Sequence, residues 1–494
     1  MTPPRPHGWF DRLERLGNHL PHPTLLFLWL CLLLLPLSAL LSWLNAVAVH
    51  PTSGEFVPVN NLLSADGVRQ MFTGAASNFT GFAPVGPVIV ALLGVGIAER
   101  SGLLGAALGT LVRRAPAMLL VPVIALAGVL SSLAVDAGYV VLIPLAGLMF
   151  QLAGRHPLAG IAAGFAAVAG GFSANLMIGP IDVVLAGIST EAARMVNPGA
   201  LVLPSANYWF MLASSVLVVG VVTGVTVRWV EPWLNRRGDV IEPLTADPDQ
   251  GDARALRHAG LALLGVCLAL FLLAWPEGGP LRSPDGALLT GPLISQSAVV
   301  IALIAAVCGI TYGRSSGSLP SARHVIESME ETLRTLASYL VLMFFAAQFI
   351  AWFAWSGIGL VMAIRGADLL GGLALPTPVL LVLVVLLMAS LNLVIGSATA
   401  KWTLVAPVLV PMLMVLGISP EMTQVAYRLG DSGTNIITPL MPYFVLVLAF
   451  ARRHVAATGV GTLITLMLPY SLALLGSWLV LLSLWVAFDW PLGF

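Results

Sequence analysis

The sequence predicts an all-α polytopic membrane protein, with about nine transmembrane helices and two opposed re-entrant hairpins in an inverted repeat with broken helices. Three observations carry this reading. Of 494 residues, 58% are hydrophobic and 9% charged, against roughly 25% charged in soluble domains. Apolar runs near the ~20 residues that cross a bilayer recur from end to end. Two of these runs, one per half, are interrupted at matching places by polar, glycine-containing stretches.

Composition excludes several classes. A transmembrane β-barrel would show short alternating segments instead. Formal net charge is zero, so nothing points to nucleic acid. Cys31, Cys267 and Cys308 lie in apolar runs at unrelated spacings, which reads as buried structural thiols and not as a disulfide or zinc site. None of the eight histidines sits mid-span, which argues against a histidine-ligated intramembrane metal. No Gly-x-x-x-x-Gly-Lys loop is present, so ATP-driven pumping is not expected.

Arginine and lysine in short loops set the threading. Residues 1–23, with Arg5, Arg12 and Arg15, read as a cytoplasmic tail. The first run, 24–48, is too long for a signal-peptide core and lacks a small-residue cleavage site, so it stays as a helix. A weakly charged outer loop at 51–80 follows, and span 82–110 returns to Arg113 and Arg114. Residues 116–152 are two short apolar pieces around Ser131, Ser132 and Asp136, ending at Arg155. Basic loops at both ends favour a re-entrant hairpin over two crossings. Residues 158–190 form a broken helix, interrupted at Gly170–Asn175 and Gly179–Asp182, and 205–230 closes the first half, 24–230.

A cytoplasmic linker, 231–256, separates this from the second half, 257–494. There, spans 257–275 and 294–313 precede a charged interfacial stretch with Glu327, Glu330 and Glu331, then span 337–362. A second hairpin occupies 376–417 around a polar tip, a second broken helix 421–450, and a closing helix 459–487. Hairpin, broken helix and closing helix thus recur in order, the hairpins entering from opposite sides.

Irregular backbone survives in hydrocarbon only inside protein or beside a water-filled cavity. Matching breaks in two inverted halves point to a midplane binding site of a secondary transporter. Freed carbonyls and Asn, Ser and Thr oxygens there can replace a cation's hydration shell, and helix N-termini attract anionic groups. Ser173, Asn175 and Asp182 belong to the first break; Asp431, Ser432, Thr434 and Asn435 to the second; Asn392, Ser397, Thr399 and Lys401 to the facing tip. Two Asn-bearing breaks opposite polar tips suggest one or two sodium sites, built from Ser173, Asn175, Asn392, Asp431, Thr434 and Asn435.

Bland readings stand beside these. Gly and Pro also occur in ordinary transmembrane helices. Arg428 and Asp431, three residues apart, either neutralise each other along one helix or serve transport. Lys401 and Asp136 are either structural counter-charges or functional groups. Ser397 and Lys401 at i, i+4 formally allow a Ser–Lys hydrolase dyad, but a hydrolase gives the inverted repeat no purpose. A channel explains opposed broken helices less well than alternating access does. The expectation is a non-enzyme.

The segments "SSLAVDAGYVVLIPLAG", "GGFSANLMIGPID", "GSATAKWTLVAPVLVPML" and "YRLGDSGTNIITPLMPYF", with "LGVGIAERSGLLGA" at 93–106, together resemble the AbgT family of p-aminobenzoyl-glutamate transporters. The resemblance runs from about residue 10 to 490. It implies a homodimer of nine-span protomers in the bacterial inner membrane that moves small aromatic carboxylates. Export of p-aminobenzoate and sulfonamide drugs on a proton or sodium gradient, an antimetabolite-resistance role touching folate metabolism, is the expected activity. Import of p-aminobenzoyl-glutamate is the alternative. The family's substrate-path positions fall on Asp182, Trp402, Pro420 and Arg428, and its sodium positions near Asn392 and Asp431. Arg428 is suited to holding a benzoate carboxylate bidentately and Trp402 to stacking on its ring. Lys401 is the other obvious cation at the tips.

Overall fold

The computed structural model describes residues 23–49, 56–83, 85–133, 138–236, 253–288, 291–441 and 443–494. The expected tail up to residue 22, Asp136 at the first hairpin tip and 237–252 of the linker lie outside them. Helix α1 (Pro23–Trp43) is apolar apart from Thr24, Ser38 and Ser42. It leads into a small antiparallel ribbon of β1 (Val47–Val49) and β2 (Phe56–Pro58).

The expected outer loop contains helix α2 (Ala65–Thr80), started by Ser64, whose hydroxyl accepts from Gly67 N–H at 3.1 Å. Its polar composition hid it from a reading based on hydrophobic runs. The expected span 82–110 is two helices, α3 (Val85–Arg100) and α4 (Leu103–Arg113), separated at Gly102. That glycine has φ +83°, a left-handed conformation costly for a residue with a Cβ.

The first hairpin comprises α5 (Leu120–Leu130), a 3₁₀ turn at Ser131–Leu133, a π-turn at Gly138–Leu142 and α6 (Ile143–Leu152). The first broken helix is α7 (Pro157–Phe165) with a π-turn to Gly170, nine non-helical residues, then α8 (Pro180–Ala193). α9 (Tyr208–Val225) and short α10 (Glu231–Asn235) close the half.

The second half opens with α11 (Ala253–Ala274), short α12 (Pro292–Ser295) and α13 (Ser297–Ser316). The charged stretch expected to lie apart is continuous with the next span as α14 (Ala322–Trp355), 34 residues long. Gly357, at φ +73°, then turns the chain into α15 (Ile358–Gly372), splitting the expected 337–362 span. The second hairpin is α16 (Thr377–Asn392) and α17 (Ala398–Val415); the second broken helix is α18 (Pro420–Thr434) and α19 (Phe444–His454). α20 (Val460–Ala487) closes the chain.

Among the described residues eight helices are long and apolar enough to cross a membrane. Six match expected spans, and a seventh, Ala65–Arg100, runs through α2 and α3 and only overlaps the expected 82–110. The eighth is the hairpin arm α17, and the two broken helices drop out because neither has an unbroken piece of sufficient length.

Two large apolar cores organise the described residues. One encloses both hairpins, both broken helices, α9 and α20, with Phe165, Leu474 and Trp478 fully buried. The other forms a frame of α1, α14 and α15 around Phe27, Met343 and Ile358. α8 packs on α17, and α16 packs along α18, so hairpin 2 is clasped by both broken helices. Cys31 and Cys308 are buried as expected, but Cys267 is exposed, on the outward face of α11.

Candidate functional site

The two breaks and the second hairpin tip converge. Helix α8 begins at Pro180, whose missing N–H costs nothing at a helix start. Asp182, in the first turn, accepts from Gly179 N–H at 2.7 Å through Oδ2. Its other oxygen meets Arg428 Nη2 of α18 at 2.6 Å, with both side chains almost fully buried. The ion pair therefore joins the two halves. Arg428 Nη2 also donates to the Ser173 carbonyl at 3.4 Å. Ser173 N–H donates to Ser432 Oγ at 3.1 Å, and Asn435 Nδ2 to the Ala169 carbonyl at 3.4 Å.

Asp431, one turn on from Arg428, points the other way. Its Oδ1 lies 2.5 Å from Lys401 Nζ of α17, and Lys401 has no exposed surface. Lys401 Nζ also donates to Asn392 Oδ1. Asn392 Nδ2 in turn donates to the Asp431 carbonyl at 2.6 Å and to Thr434 Oγ1 and Asn435 Oδ1 at 2.9 Å. The possibility that Arg428 and Asp431 neutralise each other is corrected: each takes a partner from a different element. Close helix approach makes this reachable. At Gly430 an added Cβ would lie 2.4 Å from the Val385 carbonyl oxygen of α16.

Trp402, fully buried beside Lys401, stacks on Tyr427 with centroids 4.4 Å apart. Its Nε1 donates to Ser189 Oγ at 3.0 Å. Ser189 donates to Gln424 at 2.6 Å, and Gln424 to Asn207 at 2.7 Å. Tyr139 after the first tip stacks on Tyr443 after the second break, centroids 4.0 Å apart.

Of the expected residues, Asp182, Arg428 and Ser173 form one group, and Lys401, Asp431, Asn392, Thr434 and Asn435 a second. Trp402 stands at the second group's edge. Asn175 belongs with neither network: its Oδ1 accepts from Ser132, and its Nδ2 has no partner among the described residues. It lines, with Asp182 and Asn207, a cavity of about 10 Å³, the size of one water. Pro420 starts α18 and is half-buried, about 12 Å along the helix from Arg428. Ser397 caps α17 through Ala400 N–H while Lys401 is engaged elsewhere, so the hydrolase dyad is not assembled.

The expected sodium ligands do not fit that ion as arranged. Lys401's ammonium already holds Asn392 Oδ1 and Asp431 Oδ1, and an amide donor faces the remaining oxygens. Sequence reasoning missed Ser189, Gln424, Tyr427 and Asn207. Ser189 lies two turns beyond Asp182 and Gln424 one turn before Arg428, so helical spacing from the charged residues would have found both.

Opposed hairpins and broken helices around buried, paired charges define a multi-pass membrane transporter. The match to known proteins makes the class specific. Residues 8–494 match the AbgT putative transporter family, and the chain belongs to that family. It is 35% identical over 493 residues to the p-aminobenzoyl-glutamate transport protein of Escherichia coli strain K12, covering 99% of this chain and 96% of that protein. The crystal structure of the YdaH transporter of Alcanivorax borkumensis, described as having an unusual topology, superposes with TM-score 0.93 at 57% identity, covering 96% of this chain and all of that one. Neisseria gonorrhoeae MtrF, described as illuminating a class of antimetabolite efflux pumps, gives TM-score 0.89 at 41% identity over 97% of both chains. These relatives are transporters and not enzymes.

Proposed function

We propose that this protein exports small aromatic carboxylates, p-aminobenzoate and sulfonamide drugs among them, across the bacterial inner membrane, using a proton gradient, a sodium gradient or both. One observation carries the reading. The Arg428 guanidinium is buried, yet Asp182 uses only one edge of it, and its Nε has no partner among the described residues. A planar fork with donors to spare is suited to a bidentate carboxylate. The stacked Trp402–Tyr427 pair, whose Tyr427 is next to Arg428 on α18, supplies an aromatic wall for the ring. Asp182 then serves as the competing anion: substrate displaces it from Arg428, and its departure restores the pair.

p-Aminobenzoyl-glutamate carries two further carboxylates. Lys401, the other cation at the tips, is held by Asp431 and Asn392, which supports the smaller substrate. We further propose a homodimer with a cytoplasmic N-terminus. The test is radiolabelled p-aminobenzoate accumulation in cells lacking their own exporters. Wild type should lower accumulation, and an uncoupler, Asp182→Ala or Arg428→Ala should restore it. Raised uptake of p-aminobenzoyl-glutamate with p-aminobenzoate unchanged would replace export by import.

A further inference from the structure

A cavity of about 310 Å³ lies at the far end of α8 from Asp182, between the end of α2, the end of α8 and the last turns of α14. Its floor is α14, where Ala347, Ala351 and Ala354 share one helix face, and their small side chains leave the volume open. Phe82 and Ile350, both buried, wall it. Its roof is fixed to its floor: Gln348 of α14 donates to the Ala75 carbonyl at 2.8 Å and accepts from Asn78 at 3.0 Å. The space is therefore built into the packing of α2 on α14.

Its rim is charged. Arg194 Nη1 meets Glu191 at 3.0 Å and Nε donates to the Ala200 carbonyl at 3.3 Å. These contacts use Arg194 Nη1 and Nε and Asn78 Nδ2, so Arg194 Nη2 and Asn78 Oδ1 stand beside the Glu191 carboxylate at the cavity rim. A slot floored by alanines, with a cation, a carboxylate and a neutral acceptor at its edge, matches a flat ring carrying a carboxylate at one end and an amine at the other. Glu191 is nine residues beyond Asp182, about 13 Å along the helix and half a turn around it. The cavity thus sits on the opposite face of α8 from the Arg428 pair, separate from the polar cluster.

We propose that this cavity is a second, shallower binding station for the same aromatic carboxylates, with Arg194 as its anion ligand. The proposal rests on the substrate class assigned above. p-Aminobenzoate binding to the purified full-length protein, measured by isothermal titration calorimetry in nanodiscs, tests it. Wild type should show two classes of site. Arg194→Ala should weaken the weaker class roughly tenfold or more, and Ala351→Trp, which fills the slot, should remove it. Both should leave the tighter class intact, whereas Arg428→Ala should remove only the tighter class. Elution as a single species on size exclusion checks that each variant is folded. One class of site, lost in Arg428→Ala and unchanged in Arg194→Ala and Ala351→Trp, overturns the second station and spares the deep site. No binding by folded wild type overturns the substrate assignment and the station together.

Discussion

Replacing Lys401 by methionine removes the cation paired with Asp431 while nearly conserving side-chain volume. The pair is 2.5 Å apart and inaccessible to solvent, so water is not at hand to stabilise the stranded carboxylate. Breaking a buried pair by removing one partner costs about 3–5 kcal/mol, and Asn392 Oδ1 loses its donor as well. Neutralising both partners should recover much of that loss, since replacing a whole buried pair is often close to neutral. Thermal melts in detergent of wild type, Lys401→Met, Asp431→Asn and the double variant form a complete cycle. The expected result is two destabilised single variants and a double variant more stable than their sum by a few kcal/mol. Added sodium should stabilise Lys401→Met more than wild type, because the ammonium that holds the oxygens is gone. Additive single effects, or a Lys401→Met protein as stable as wild type, would refute the reading of these residues as one coupled charge pair.

Three further outcomes follow from the site. Asp182→Asn keeps an acceptor for Gly179 N–H but strands the buried charge of Arg428, so p-aminobenzoate efflux should fall steeply and the protein should lose about 3–5 kcal/mol of stability; efflux at the wild-type level would refute the role given to the pair. Trp402→Phe keeps the stack on Tyr427 and loses the bond to Ser189, about 1 kcal/mol or roughly fivefold in substrate affinity, and Trp402→Ala should cost more in the same binding assay. Gly430→Ala places a Cβ 2.4 Å from the Val385 carbonyl, and the forced separation of α16 and α18 should cost about 1–3 kcal/mol, read as a lower melting temperature and lost efflux together.

Hydrophobic run length and loop charge made the membrane class, both hairpins and both breaks legible, because these follow from the cost of burying backbone. α2 was not legible in the same way: a polar helix leaves no hydrophobic run. Gly102 and Gly357 divide apolar runs without changing their composition, so each looked like one span. At the site, residue types identified Asp182, Arg428, Lys401 and Asp431, but not who pairs with whom. Sequence proximity favours Arg428 with Asp431; the close approach of α16 and α17 to α18 decides otherwise. Ser189 and Gln424 went unseen because a hydroxyl and an amide are unremarkable until Trp402 is placed between the halves.

The two crossed ion pairs have an electrostatic consequence for stoichiometry. Lys401 and Arg428 against Asp182 and Asp431 sum formally to zero, so the resting cluster lies deep in the apolar interior without net charge. The proposed carboxylate substrate, on arriving at Arg428, would leave the cluster one negative charge in excess, in surroundings where an uncompensated charge is expensive. Neutrality is restored only if one positive charge enters with each anion or one acidic group takes up a proton. For the proposed carboxylate substrate, anion movement and cation movement would then be tied together by the composition of four side chains, before any moving part of the protein is considered.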